Sequence, residues 1–371
     1  MSIKVPLMNL KAQYLSLKED LDYAVNNTIE NAAFIGGPAV TNFENEFAEY
    51  LGGGEVISCG NGTDSLEMIL SALDIGKGDE VIVPAMTWIS TGEVVVTRGA
   101  KLVFADVEAS TGCLNLQDVQ QKITENTKII IAVHLYGHVT DMPRLMEIAG
   151  AHKIKVIEDC AQAHGSSISD CKMGTWGVAG SFSFFPSKNL GCFGDGGAVF
   201  TKDKDLATKI RLIARHGQET KHVHLINGRN SRLDSLQARV LSVKLPHLEK
   251  WIDQKNKHAR FYLNELAGIP ELKLPVPTKY EARISWHLFV VRTSKRDELM
   301  KFLESNGVET NIHYPTALPF QPCYADWKHE SDDFPGAFEI QKETLSIPIF
   351  AELKQEELDY VVDRIKSFFR Q

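Results

Sequence analysis

Four short segments hold the residues best suited to chemistry. In Ser181-Phe-Ser-Phe-Phe-Pro-Ser-Lys188-Asn-Leu-Gly191, a lysine sits between an aromatic run and a Gly-rich turn. A desolvated lysine has a lowered pKa and can form an imine with a carbonyl carbon, although an exposed turn lysine would fit the segment equally well. Ser183 in the same run can hold a phosphate oxygen. In Val156-Ile-Glu-Asp159-Cys-Ala-Gln162-Ala-His-Gly165, two adjacent carboxylates end an apolar run. Buried carboxylates need partners, and neighbouring side chains on a strand face opposite ways, so one of Glu158 and Asp159 faces a ligand. Asp159 can pair with a cationic ring nitrogen, and Gln162 can donate to a phenolic oxygen. The plainer alternative is a strand-end cap beside a solvated acid. In Ser58-Cys-Gly-Asn-Gly62-Thr63-Asp64-Ser65, glycines allow close backbone approach, and Thr63 or Asp64 can cap the following helix. Such a helix start is a natural phosphate seat, or simply a capped turn. In Pro84-Ala-Met-Thr-Trp88, the tryptophan can stack on a flat ring or fill the core.

Taken together, these segments supply a phosphate seat, a stacking face, an acid for a ring nitrogen and an imine-forming lysine. Those are the parts of a pyridoxal 5'-phosphate pocket. A nicotinamide site is disfavoured, because no Gly-x-Gly-x-x-Gly opens a helix after a strand. A class I aldolase would need the lysine but neither the phosphate seat nor Asp159 and Trp88. His216, His222 and His224 lack the helical spacing and partnering glutamate of a zinc hydrolase, so no metal is expected.

The elements that must position these residues follow from periodicity. Val81–Ala85, Lys101–Val107, Lys128–Val133 and Ile154–Glu158 are apolar nearly throughout and are predicted as strands covered on both faces. Ser65–Leu73 and Pro143–His152 are predicted as helices between them. Ser181–Phe185 and Gly197–Thr201 add two further strands. This alternation predicts an α/β fold with a mixed, mostly parallel sheet wrapped by helices, whose ligands sit beyond the strands' carboxyl ends. A helical stretch from Arg232 towards Leu266 is interrupted by Pro246. Beyond it, strands Trp286–Arg292 and Glu309–His313 and helices Lys295–Ser305 and Glu356–Phe369 form a smaller α+β unit. The expected domains are therefore 1–245 and 246–371. The 371 residues are 43% hydrophobic and 24% charged, the balance of a folded chain rather than a disordered one. The 40 basic and 48 acidic residues give a net charge of −8, which argues against nucleic acid or anionic membrane as partners. No run approaches the roughly 20 apolar residues of a membrane helix. The stretch 1–14 lacks a signal-peptide core, so the chain is expected in the cytoplasm. The 6 cysteines include no Cys-x-x-Cys pair and are expected to be thiols.

Across nearly its whole length, the chain resembles the sugar-nucleotide aminotransferases of the DegT/DnrJ/EryC1/StrS family, within the aspartate aminotransferase fold type. The resemblance rests on the segments above and on Phe34-Ile-Gly-Gly-Pro38, Asn230-Ser-Arg-Leu-Asp-Ser-Leu-Gln-Ala238, His313-Tyr-Pro315 and Ser346-Ile-Pro348. It implies that Lys188 is the Schiff-base lysine and Asp159 the acid at the pyridine nitrogen. It places Gln162 near the ring hydroxyl, Trp88 on the ring, and Gly62, Thr63 and Ser183 on the phosphate. Asn230 would reach the phosphate of a neighbouring subunit, which implies a homodimer with shared active sites. His313 and Tyr314 would approach the sugar, or serve only as packed side chains. The implied substrates are a keto sugar nucleotide and an amino donor, L-glutamate. Members that aminate C4 of the sugar carry a Thr-Thr-Gly-Glu-Gly-Gly-like run after the lysine. The run here is Lys188-Asn-Leu-Gly-Cys-Phe-Gly-Asp-Gly-Gly197, which resembles members acting on 3-keto sugars linked to dTDP or UDP. The alternatives are a 4-keto aminotransferase and, from a different class, a non-catalytic regulatory protein that binds the cofactor. Amino sugar biosynthesis, with a polysaccharide or O-antigen as its destination, is the implied setting.

Overall fold

A computed structural model describes residues 4–276 and 281–370. Its centre is a seven-stranded sheet. The strands are β1 (Glu55–Cys59), β2 (Glu80–Pro84), β3 (Lys101–Ala105), β4 (Thr127–Val133), β5 (Lys155–Asp159), β6 (Ala179–Ser183) and β7 (Gly197–Thr201). Their spatial order is β1-β7-β6-β5-β4-β2-β3. β7 runs antiparallel to β1 and β6, and the remaining pairs are parallel. This is the mixed, mostly parallel α/β sheet that the alternating pattern implied.

The strands are buried on both faces because helices cover both. Alternate residues of β4 serve different cores. Ile129 and Ile131 join one cluster with Leu66, Ile69 and Ile210. Ile130 and Ala132 join the other, with Phe43, Phe47, Phe182 and Phe184. Phe47 meets Phe182 and Phe184 edge-on, at centroid distances of 5.1 and 5.4 Å, an arrangement that suits the aromatic quadrupole.

Helix α1 (Gly62–Ala72) follows β1, and helix α2 (Ser90–Thr97) follows β2. Asn61, rather than Thr63 or Asp64, caps α1, accepting from the Asp64 N–H at 2.8 Å. Thr63 and Asp64 therefore lie inside the first turn. Further along, α3 (Ser235–Lys244) and α4 (Leu248–Glu265) are joined by a single 3-10 turn, Leu245–His247, which contains Pro246. No described helix is long and apolar enough to cross a membrane.

The C-terminal part pairs β8 (Phe289–Arg292) with β9 (Thr344–Ile347) over a core that includes Tyr262, Leu299 and Val361. Two expectations need correction here. Trp286 does not begin β8, because its φ of 46° departs from extended backbone. Glu309–His313 is not a strand either. Val308 bridges to Val5 and Asn311 to Ser346, each as an isolated pair, so the chain is tied at points rather than along a ladder. From there it returns over the large sheet, where Ala317 and Leu318 join the first core cluster. That return brings His313 and Tyr314 to the sheet's carboxyl edge.

At this edge β1, β5 and β6 end at Cys59, Asp159 and Ser183, and β7 begins at Gly197, which is opposite both Cys59 and Ser183. The packing around Gly197 is close: an added Cβ would lie 2.4 Å from the Asn61 carbonyl carbon and oxygen. Gly197→Ala should therefore push the start of α1 aside, costing about 1–3 kcal/mol of stability and weakening anion binding at Gly62. Gly150→Ala, at an exposed helical position with nothing within 4 Å of the new Cβ, is expected to be neutral or slightly stabilising. Chemical denaturation of the two variants checks the pair.

Candidate active site

The carboxyl edge opens into a cavity of about 400 Å³. Gly62, Thr63, Trp88, Asp159, Gln162, Ser183, Lys188, His313 and Tyr314 all line it. They arrive from separate elements: the start of α1, the turn after β2, the ends of β5 and β6, and the returning C-terminal segment.

Asp159 and Glu158, neighbours in sequence, have opposite fates. Glu158 faces away from the cavity and is fully buried. Its carboxylate accepts from the N–H groups of Gly174, Trp176 and Gly177 at 2.7–2.9 Å and lies 3.1 Å from His134 Nε2. It is thus a saturated structural acid, not a solvated one. His134 Nδ1 accepts from the Thr140 N–H, so the Nε2 proton goes to Glu158. Cys160 lies in the same cluster, but this group is already committed to protein hydrogen bonds. Asp159 faces the cavity with two donors among the described residues: Thr91 Oγ1 at 3.0 Å and the Ala161 N–H at 3.1 Å. Burial pushes its pKa up. The Ala161 N–H, Thr91 and Lys188 pull it back down without cancelling that effect.

Lys188 shows the complementary condition. Burial pulls its amine down to about 8, opposed by the Asp159 charge. By surface area the residue is only partly covered, which leaves the amine accessible from the cavity. Its Nζ makes no hydrogen bond among the described residues. The site therefore holds an amine ready to become neutral and an acid with no ion pair within contact distance among the described residues.

The residues expected at a phosphate also lie together. Gly62 and Thr63 open α1, and their N–H groups have no intrahelical acceptor. Ser183 packs close beneath: a Cβ on Gly62 would lie 2.8 Å from the Ser183 Cβ. Asp64, an acid in this first turn, is taken up by Arg229 at 3.0 Å and by Ser231 Oγ at 2.6 Å, which removes a charge that would repel an anion. Trp88 is 58% exposed at the cavity wall, so it is not core. Its ring lies 5.5 Å from that of Tyr314. Both ends of the Gln162 amide are engaged: Oε1 accepts from the Tyr136 N–H at 2.6 Å and Nε2 donates to Tyr314 Oη at 3.0 Å. One amide hydrogen remains for a ligand. His313 Nδ1 contacts Ser346 Oγ at 2.8 Å, and burial, with Lys188 nearby, pulls its pKa down to about 4.

Asn230 is the exception. It is exposed and lies outside this cavity, while its neighbours Arg229 and Ser231 are pinned to Asp64. Sequence reasoning missed Thr91, Ser90 and His287. Thr91 is fully buried on α2 and donates to Asp159, and Ser90 contacts Thr63 at 2.7 Å. His287 lines the cavity. Only the strand-end position of Pro84–Trp88 hinted at the two α2 hydroxyls.

The residues fit pyridoxal phosphate on their own chemistry. An under-partnered buried carboxylate suits a protonated ring nitrogen, an unbonded amine suits the aldehyde, and open N–H groups suit the phosphate. Attachment of the cofactor to the empty chain is expected to speed up roughly tenfold per pH unit below pH 8 and to level off above it, since only the neutral amine attacks. Rapid-mixing absorbance against pH measures this. A profile still rising steeply past pH 10 would mean an ordinary exposed lysine.

A family model, the DegT/DnrJ/EryC1/StrS aminotransferase family, matches residues 16–366. A "Pleiotropic regulatory protein" of Geobacillus stearothermophilus is 40% identical over 369 residues, covering 99% of both chains. The dTDP-3-amino-3,4,6-trideoxy-alpha-D-glucose transaminase of Streptomyces venezuelae is 38% identical over 365 residues, covering 98% of this chain and 96% of the relative. The crystal structure of S. venezuelae DesV in complex with a ketimine intermediate superposes with a TM-score of 0.96 at 38% identity, over 99% of both chains.

Proposed function

We propose that this chain, which belongs to the DegT/DnrJ/EryC1/StrS aminotransferase family, moves an amino group from L-glutamate to C3 of a 3-keto hexose carried on dTDP or UDP. The observation that carries this reading is the joint placement of Lys188 and Asp159 in one cavity beside the phosphate seat. Pyridoxal phosphate, when bound, supplies an electron-accepting ring that stabilises negative charge at the carbon losing a proton.

The remaining work falls to the protein. Gly62, Thr63 and Ser183 bind the phosphate and fix the ring's position. Asp159 holds the proton on the ring nitrogen, because an adjacent negative charge favours the protonated form. Trp88 covers one face of the ring and excludes water. With the cofactor bound, the amine of Lys188 would move a proton away from the donor's α-carbon and, in the reverse sense of the second half-reaction, deliver one to the sugar carbon. A pKa lowered to about 8 suits both directions near neutral pH. His313 and Tyr314 orient the sugar, held by Ser346 and Gln162 respectively. Regiochemistry at C3 is supported by the run from Lys188 to Gly197 and by the 3-amino product in the name of the S. venezuelae relative. The name of the Geobacillus relative raises a regulatory reading, but a pure binder has no use for a poised amine facing a desolvated acid.

The partner is a second copy of the chain. Phe34 and Ile35 are exposed apolar residues at 49% and 54%, and the Phe34 carbonyl accepts from the Ser235 N–H at 2.9 Å. This sets an apolar patch against Asp234 and Ser235, on the segment that carries Asn230, and in the proposed dimer Asn230 reaches the phosphate of the neighbouring subunit.

Glutamate added to the holoenzyme should release 2-oxoglutarate and shift the visible absorbance, and a 3-keto sugar nucleotide should then be aminated. Nuclear magnetic resonance of the product should place nitrogen on C3. Nitrogen on C4 would overturn the regiochemistry, and no response to glutamate would favour a binder. Mixing Lys188→Ala chains with Asn230→Ala chains should recover activity through heterodimers with one intact site. No recovery would remove the shared-site model.

A further inference from the structure

We propose that Lys255 and Lys244 are positioning residues for Lys188: they grip the chain one and three residues beyond it and keep its amine aimed into the cavity. The proposal rests on the reading of Lys188 as the residue joined to the cofactor.

Lys188 sits in a turn folded tightly on itself. Its N–H donates to the Phe185 carbonyl at 2.8 Å, and the Cys192 N–H donates to the Phe184 carbonyl at 2.9 Å. A Cβ on Gly191 would lie 2.3 Å from the Pro186 oxygen. The turn is held from outside by two ammonium groups. Lys255, from α4, donates to Asn189 Oδ1 at 2.8 Å and to the Trp286 carbonyl at 3.3 Å. Lys244, from the end of α3, donates to the Gly191 carbonyl at 2.7 Å and lies 4.8 Å from the centre of the Phe193 ring. Asn189 is itself locked, since its Nδ2 donates to the Ser285 carbonyl at 3.1 Å. The turn at Pro246 between α3 and α4 lets both lysines reach the same loop.

Both lysines are buried, and every acceptor named is neutral. Among the described residues neither is within ion-pair distance of a carboxylate. Glu352 is the acid that acts on both. It shares a small cavity with Lys188, Asn189 and Lys255, and its Oε1 is buried with no hydrogen-bond partner among the described residues. Removing an ammonium from water is costly, and apolar side chains would fill this space without that cost. What the lysines add is short, directional, charge-assisted hydrogen bonds to the residues that determine where Lys188 lies. Burial pulls both lysines down to about 8, in keeping with this desolvation.

The test compares holoenzymes carrying Lys255→Met, Lys255→Arg and Asn189→Ala. Misplacing a catalytic group by about 1 Å can cost on the order of 100-fold in rate. Lys255→Met should lower kcat at least about tenfold, with the KM for the keto sugar nucleotide held within about twofold. Hydrogen exchange over residues 185–192 should accelerate, and Lys255→Arg should restore most of both. Unchanged kcat and exchange in Lys255→Met would overturn the proposal, and so would a loss that arginine fails to rescue. If Lys255→Met does not fold, Asn189→Ala should give the same split by removing the acceptor, and normal kcat and exchange there would overturn the proposal. A wild-type chain that forms no covalent cofactor link at all would overturn the reading of Lys188, and that result is independent of these variants.

Discussion

The structure depends on desolvating an amine and a carboxylate at the wall of one cavity while leaving both under-partnered. Lys188 and Asp159 share one cavity, and burial drives each towards its neutral form. In an apolar core such groups would be a liability. Under the proposed function, each awaits the partner that the bound cofactor would supply, a carbonyl carbon for the amine and a cationic nitrogen for the acid. The surrounding fold serves to hold this unsatisfied pair in place. A mostly parallel sheet delivers side chains at its carboxyl ends, and β7, antiparallel to both its neighbours, packs its first residue, Gly197, against the start of α1.

The contrast between Glu158 and Asp159 shows how the backbone sorts two identical charges. Strand alternation sends Glu158 into a nest of three N–H groups and His134, where every lone pair is used. Asp159, one residue on, receives two donors and an open side. Saturation makes one acid structural, and incomplete saturation leaves the other reactive. The same logic separates the lysines. Lys244 and Lys255 spend their protons on neutral acceptors, while the Nζ of Lys188 has none among the described residues.

Much of the site was legible because its residues cluster at strand ends. Lys188, Asp159, Gln162, Ser183, Gly62 and Thr63 sit in short motifs whose chemistry can be read from residue type, and β7 matches its expected range. Other features depend on contacts that sequence does not carry. Thr91 is an ordinary helical threonine until the fold sets it against Asp159. The cap of α1 fell to Asn61, since Asn, Thr and Asp are near-equivalent caps and only geometry chooses among them. Glu309–His313 alternates like a strand but is tied only at single points among the described residues, through Val308 to Val5 and Asn311 to Ser346. Trp286 lies in an apolar run, yet its positive φ ends the extended backbone there. Asn230 carries no signal within one chain: its own cavity does not include it.

The most direct measurement is covalent. Borohydride reduction of the cofactor-loaded protein, followed by peptide mass mapping, should find a pyridoxyl group on Lys188 and on no other lysine, with Lys244 and Lys255 unmodified. An unlabelled Lys188, or an adduct on a different side chain, would contradict the assignment of the site.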